Sequence, residues 1–242
     1  MIRLNKYLSA AGICSRREAD RLIESGHVTV DGKRAVPGMQ VSEDQIVKVG
    51  KKTVHTGNER IVLAVNKPVG IICTEDRRTK NNIIRFLDYP QRITYAGRLD
   101  KDSEGLLLLT NDGAFANALT HPRHAYSKKY RVTIRGKVDD SALLQLREGI
   151  DLDGRMTAPC DVTVLTAEEN RTVLEFVLHE GRNRQIRRMC EAVELEVIRL
   201  KRIAVGSLKL GMLPVGKWRE LTDNEVQKLM RSGALQTEDT KK

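Results

Sequence analysis

Apolar residues at Leu4, Tyr7, Leu8 and Ala11 fall at helical spacing, and Gly12 follows where a helix end favours a left-handed residue. A second helix is predicted from Arg16. Ser15 and Glu18 stand three apart as a capping pair, and Ala19, Leu22 and Ile23 supply one stripe until Ser25-Gly26 stops it. The period then falls to two: His27-Val-Thr-Val30, the turn pair Asp31-Gly32 and Lys33-Arg-Ala-Val36 read as a hairpin, and residues 41–49 as a further strand. This small unit is complete by about residue 50, and the polar, glycine-containing stretch from Gly50 to Arg60 reads as a linker.

From residue 61 onward, short strand-like runs at 61–65, 93–96, 106–110, 130–134 and 172–178 interleave irregularly with helical patterns at 114–120 and 141–148. The order predicts an α+β fold: a helix-helix-hairpin unit followed by a larger domain on a mixed, largely antiparallel sheet with flanking helices. The expected division is 1–57 for the small unit and linker, 58–231 for the larger domain and 232–242 for a flexible tail.

Composition narrows the function. The 242 residues are 40% hydrophobic, enough for a sizeable core, and only 4% aromatic, so that core rests on Leu, Ile, Val and Ala. Lys and Arg number 42 against 32 Asp and Glu, a net charge of +10 that favours a polyanionic partner, nucleic acid foremost. The start Met1-Ile-Arg-Leu-Asn-Lys6 alternates charge with apolar residues, and no apolar run is long enough for a bilayer, so a cytoplasmic protein without a membrane partner is expected. Cys14, Cys73, Cys160 and Cys190 form no C-x-x-C pair, and His121-Pro-Arg-His124 lacks the Glu of a zinc motif; neither a disulfide framework nor a metal site is expected.

Gly211-Met-Leu-Pro-Val-Gly216-Lys217 fits most of a phosphate loop. Trp218, however, has no hydroxyl for magnesium and Pro214 has no amide for phosphate, so the segment reads as a turn into a strand-like run at 218–221. No G-x-G-x-x-G or G-x-S-x-G occurs, so nucleotide cofactors and serine-hydrolase chemistry lose their usual support.

Two basic constellations remain. Arg3, Lys6, Arg16, Arg17 and Arg21 lie on the two opening helices, where one outer face could track a phosphate backbone or be a solvated face balanced by Glu18, Asp20 and Glu24. In Glu180-Gly-Arg-Asn-Arg-Gln-Ile-Arg-Arg-Met189, four arginines within seven residues repel one another unless anions intervene. The run holds no Lys, as suits bidentate recognition of carboxylate or phosphate, although a solvated amphipathic helix gives the same pattern. Tyr95-Ala-Gly-Arg-Leu-Asp-Lys-Asp-Ser-Glu-Gly-Leu-Leu-Leu-Leu-Thr110 sets a polar turn between two apolar strands and offers Asp100 or Asp102 to a cleft.

The succession Arg3-Leu-Asn-Lys-Tyr-Leu8, Ser15-Arg-Arg-Glu-Ala19 and Gly26-His-Val-Thr-Val-Asp-Gly-Lys33 resembles the alpha-L RNA-binding domain of a small-subunit ribosomal protein and several RNA-modifying enzymes. Gly97-Arg-Leu-Asp100 with Ser103-Glu-Gly-Leu-Leu-Leu-Leu-Thr-Asn-Asp-Gly113 is similar to the motif of bacterial ribosomal-RNA pseudouridine synthases. Asn66-Lys-Pro-Val-Gly70, Lys129-Tyr130 and Glu180-Gly-Arg-Asn-Arg-Gln-Ile-Arg187 match that family's other motifs in order. The similarity runs from Arg3 to about Glu225 and is greatest to the branch that modifies large-subunit (23S) rRNA.

The resemblance implies isomerisation of a uridine in rRNA to pseudouridine without a cofactor, on a base flipped out of its stack. By the same resemblance Asp100 is the catalytic aspartate, attacking C1′ or abstracting the 2′ proton. Arg187 pairs with it (Arg184 being the alternative), and Tyr130 stacks on the base and helps remove the C5 proton. Arg98 fills the space the base leaves, while Arg182, Arg184 and Arg188 join the N-terminal cations in contacting RNA. Ribosomal RNA is the expected partner, with tRNA left open, and a monomer is expected. The alternative from another class is a non-catalytic rRNA-binding or ribosome-assembly factor.

Overall fold

The computed structural model describes residues 1–42, 44–55, 59–76 and 78–234 of the chain. It begins with β1 (Ile2–Arg3) and α1 (Leu4–Ala10), whose stripe of Leu4, Tyr7 and Leu8 is buried. Ser15 accepts a hydrogen bond from the Glu18 amide at 3.2 Å and so starts α2 (Arg16–Glu24) where the capping pair predicts. Asp31 and Gly32, at φ 49° and 78°, form the turn between β2 (Val28–Val30) and β3 (Lys33–Arg34).

Two expectations need correction here. The strand read over 41–49 is two strands: β4 (Gln40–Val41) pairs with β1, and β5 (Val47–Val49) pairs with β2. A turn separates them, in which the Ser42 amide donates to Gln45 Oε1 (3.1 Å) and the Ile46 amide to Asp31 Oδ1 (2.8 Å). The supposed linker also starts too early, because β6 (Lys52–Thr53) pairs with β5, and Val54 is buried with its carbonyl accepting from the Tyr7 hydroxyl. A two-residue edge strand followed by one buried side chain carries too little periodicity to be read. The boundary expected at 57 lies outside the described residues.

The larger sheet has nine strands among the described residues. Its order is β11 (Asp161–Glu168), β12 (Arg171–Leu178), β10 (Lys128–Arg135), β13 (Val197–Val205), β9 (Glu104–Thr110), β7 (Val62–Lys67), β15 (Trp218–Glu220), with β8 (Thr94–Ala96) on β9 and β14 (Leu208–Lys209) on β13. Its pairings are antiparallel except β9 with β13. The fold is thus α+β, as the irregular interleaving predicts.

β7 and β9 are buried along their whole length. Alternate residues go to opposite faces: Val62, Ala64, Leu106 and Leu108 pack with α4 (Gly113–Thr120) and α7 (Asp223–Ala234), and Leu63, Val65, Leu107 and Leu109 with α3 (Ile83–Leu87). Strands covered on both sides read as continuous apolar runs, hence Leu106-Leu-Leu-Leu109. A third cluster joins β10 and β12 to α5 (Asp140–Glu148) and α6 (Gln185–Ala192) through Ile134, Phe176, Leu146 and Met189.

The flexible tail expected from 232 does not hold for its first residues. Ser232 and Gly233 belong to α7, with Ser232 Oγ accepting from the Ser207 amide (3.2 Å) and donating to the Leu229 carbonyl (2.6 Å); the rest of the tail is outside the described residues. Among the described residues no helix is long and apolar enough to cross a membrane.

Gly105, at φ +104°, lies where β9 meets β13, and a Cβ there would run into the Arg202 carbonyl. Gly32 is also left-handed but has open space around it. Gly105→Ala should therefore lose about 3 kcal/mol or more, from strain plus overlap, and Gly32→Ala only about 1–2 kcal/mol. Urea denaturation of the two variants checks this, and equal losses would refute the close-approach argument.

Candidate active site

The site is built on the turn between β8 and β9. Gly97 (φ +82°) ends β8, the Ser103 amide donates to the Asp100 carbonyl at 3.1 Å, and the Gly70 amide donates to the Lys101 carbonyl at 2.7 Å, tying this turn to the loop after β7. Asp100 is half-buried and lines a cleft of about 910 Å³ together with Arg98, Lys128, Tyr130, Arg182, Arg184 and Arg202. The cleft thus gathers Asp100, Tyr130, Arg98, Arg182 and Arg184 of the residues singled out in the sequence; Arg187 and Arg188 do not line it. Tyr130 is half-buried and packs against two core clusters, directly across the strand pair from Arg202.

The repulsion read into the second arginine cluster is resolved by acids of the protein itself. Arg184 makes a two-pronged bond to Asp102 (2.9 and 3.0 Å), Arg188 meets Asp153 at 2.6 Å, and Arg182 meets Glu180 at 3.3 Å while donating to the carbonyls of Arg155 and Met156. Arg184 adopts φ +48° ahead of α6 without a side-chain cap, a costly conformation for a residue with a Cβ.

The expected pairing of Arg187 with Asp100 is not formed. Arg187 Nε lies 3.3 Å from Asp102 Oδ2, with Nη2 donating to the Asp102 carbonyl (2.9 Å) and Nη1 to that of Val197 (3.3 Å). The reason is position along the turn: Asp102 abuts the start of α6, whereas Asp100 lines the cleft. Among the described residues Asp100 has no ion pair within 4 Å. Asp100 is nonetheless one of the charges that raise the Arg184 pKa, behind the Asp102 hydrogen bonds.

Three cations near the site are given no role by the sequence alone. Lys67 is completely buried at the end of β7 and donates to the carbonyls of Pro68 (2.9 Å) and Ile71 (2.8 Å). Burial lowers its pKa, opposed by Cys73, Asp100, Asp102 and Glu104. Its signal is the Asn66-Lys-Pro-Val-Gly70 motif, in which it follows a run of apolar strand residues. Arg202, 3% exposed, donates from Nε to the Leu106 carbonyl (2.7 Å) and from Nη1 to that of Arg98 (3.3 Å), gripping both sides of the Asp100 turn. Lys128 donates to the Tyr126 carbonyl (3.2 Å); burial, and then the Arg202 charge, push its pKa down to about 8 against the pull of Glu180. Nothing local in the sequence marks Arg202 or Lys128, because both depend on the β10–β13 pairing.

In the N-terminal part Arg3, Lys6, Arg16, Arg17 and Arg21 are all exposed, and Arg21 pairs with Glu18 at 3.3 Å.

Arg184 bonding, ahead of any other cause, holds the Asp102 carboxyl below the usual range. The ion pairs therefore stabilise the fold above the ordinary carboxylate pKa of about 3.9 and lose that contribution as pH falls through the lower folded value. Asp102 is 44% exposed, so screening keeps the effect of Asp102→Asn small, about 1 kcal/mol at pH 7 and shrinking in acid. Denaturation at pH 7 and in strong acid measures this; an equal loss at both would assign it to something other than the ion pairs.

Residues 61–192 match the family described as RNA pseudouridylate synthase, and residues 2–54 match the S4 domain. The chain is 41% identical over 231 residues to the dual-specificity RNA pseudouridine synthase RluF of Salmonella typhi, covering 95% of this chain and 78% of the relative. It is also 41% identical over 235 residues to the ribosomal large subunit pseudouridine synthase B of Bacillus subtilis, covering 95% and 96%. A crystal structure of a pseudouridylate synthase superposes with a TM-score of 0.68 at 31% identity, covering 95% of this chain and all of that one. The chain therefore belongs to the RNA pseudouridine synthases, enzymes that isomerise uridine within RNA, and carries an S4 domain ahead of its catalytic sheet.

Proposed function

We propose that this enzyme converts a uridine of large-subunit ribosomal RNA to pseudouridine in the cytoplasm, with Asp100 as its catalytic aspartate. The observation that carries the reading is that Asp100, free of any ion pair among the described residues, lines the same cleft as Tyr130, Arg184 and Arg202. The cleft volume falls within the range of about 300–1,000 Å³ usual for sites that enclose a small ligand, which suits one extruded nucleotide.

The chemistry balances within one nucleotide. The N1–C1′ bond breaks, the base turns, the C5–C1′ bond forms, C5 loses its proton and N1 ends protonated. The Asp100 carboxylate begins it either by attacking C1′ as N1 leaves, the ester so formed breaking when C5 bonds C1′, or by taking the 2′ proton as N1 leaves and returning it to C2′ when C5 adds to the glycal. Tyr130 stacks against the turning base, and its hydroxyl helps remove the C5 proton. Arg184 and Lys67 both feel the Asp100 charge, and so set positive potential near that carboxylate. Arg98, exposed at the cleft rim, is the side chain placed to fill the gap in the RNA.

Asp100→Asn should abolish turnover while leaving RNA affinity within about twofold, since only the reacting carboxylate changes. Tritium release from C5-labelled rRNA, with tRNA run beside it, measures turnover; undiminished release by the variant removes Asp100 from the chemistry, and tight binding without any release by the native enzyme selects the assembly-factor reading.

The exposed cations on α1 and α2 fit phosphate tracking by the S4 domain. Replacing Arg16, Arg17 and Arg21 together with Ala should weaken rRNA binding and reduce the slope of log affinity against log salt by roughly one for each phosphate no longer neutralised. An unchanged slope would make that face a solvated surface only.

A further inference from the structure

Lys128, Tyr130 and Arg202 share one wall of the cleft. Lys128 and Tyr130 are two apart on β10 and so on one face, and Tyr130 stands opposite Arg202 on β13. The two cations differ from every arginine of the α6 cluster in what they bond. Arg182, Arg184, Arg187 and Arg188 each lie within ion-pair distance of an Asp or Glu. Lys128 and Arg202 instead bond only main-chain carbonyls, those of Tyr126, Leu106 and Arg98, and neither has a carboxylate within 4 Å among the described residues. The nearby acid Glu180 is already engaged by Arg182 (3.3 Å), Gln185 Nε2 (2.6 Å) and the Ala158 amide (3.1 Å).

We infer that Lys128 and Arg202 form an anion subsite in the cleft wall that takes one backbone phosphate of the RNA, at a linkage flanking the uridine stacked on Tyr130. The identity of the anion rests on the uridine-isomerase reading above. Two cations held close together, one of them only 3% exposed, repel each other, and a phosphate between them relieves both. Burial first, and then the Arg202 charge, lower the Lys128 pKa, in keeping with that repulsion. Arg202 Nε and Nη1 are committed to the Asp100 turn, which leaves Nη2 without a protein acceptor among the described residues. A phosphate on Nη2 would therefore be fixed to the same side chain that fixes the turn, and would set the distance between the strand and the acid.

The test replaces the charge on the RNA as well as on the protein. A short synthetic RNA stem-loop that the native enzyme converts is made with an uncharged methylphosphonate at each linkage near the target uridine in turn, and is assayed with the native enzyme, Lys128→Met and Lys128→Arg. One neutral linkage should raise KM for the native enzyme about tenfold with kcat little changed, as loss of one charged hydrogen bond predicts. Lys128→Met should raise KM about as much on unmodified RNA and be indifferent to that same linkage, while Lys128→Arg restores both behaviours. If no neutral linkage raises KM in the native enzyme, or if the losses from linkage and variant simply add, the subsite is overturned. Failure of the native enzyme to convert any unmodified rRNA or stem-loop would instead sink the functional reading, and the subsite with it.

Discussion

The Arg202 guanidinium, almost wholly out of water, bonds the carbonyl of Arg98 before the Asp100 turn and that of Leu106 after it. A buried charge is costly unless its hydrogen bonds are well made, so the turn on which those carbonyls sit is held wherever Arg202 is held. Arg202 in turn is fixed by β13, which runs parallel to β9 with Arg202 beside Gly105. The absence of a side chain at residue 105 lets the two backbones approach closely enough for one arginine to reach both ends of the turn. Reactive groups are most accurately placed when rigid strands rather than loops carry their support, and here the loop is short and its anchors lie in the centre of the sheet.

Within that frame three acids stand in five residues, and each meets a different fate. Asp102 faces the arginines that precede and open α6, and Glu104, 8% exposed, meets Arg199 at 2.6 Å. Asp100 alone of the three has no such partner among the described residues and lines the cleft. A carboxylate that must attack carbon or take a proton needs a free oxygen lone pair, which a two-pronged guanidinium would occupy. On the role proposed for Asp100, the departure from the expected Arg187–Asp100 pair is chemically sensible: the neighbouring acid absorbs the arginines, and Lys67 behind the turn and Arg184 at its edge supply positive potential without closing the Asp100 oxygens.

What can be read in the sequence follows the range of the interactions involved. The capping pair at Ser15 and Glu18, the Asp31-Gly32 turn and the Leu106-Leu-Leu-Leu109 strand are encoded within a few residues, and all are legible. The two-strand split near residue 42 is not, because it depends on Asp31 bonding the Ile46 amide across a hairpin. Nor is β6, whose ladder needs β5 as a template. In the site, Asp100, Tyr130 and the α6 arginines stand out through motif resemblance. The geometry among them does not, since the choice between Asp100 and Asp102 as arginine acceptor is made by how the 98–103 turn meets α6. Arg202 and Lys128 are hidden for the same reason, their company being set by the pairing of strands far apart in sequence.

That distribution of charge bears on how a base can be drawn from its stack, which costs a few kcal/mol that contacts to the RNA must offset. An arginine already bonded to a carboxylate contributes little to that offset, because moving onto a phosphate exchanges one strong bond for another and leaves an acid unpaired. By this reckoning the Arg182–Arg188 cluster, the most basic run in the chain, shapes the cleft more than it grips RNA. On the proposed reading the net gain comes from cations without an acid partner among the described residues, such as Lys128, Arg202 and Arg98 at the cleft and Arg3, Lys6, Arg16 and Arg17 on the S4 domain. If the cleft set acts on the reacting nucleotide and the S4 set on the RNA around it, as proposed, docking and extrusion draw on different charges of the same molecule.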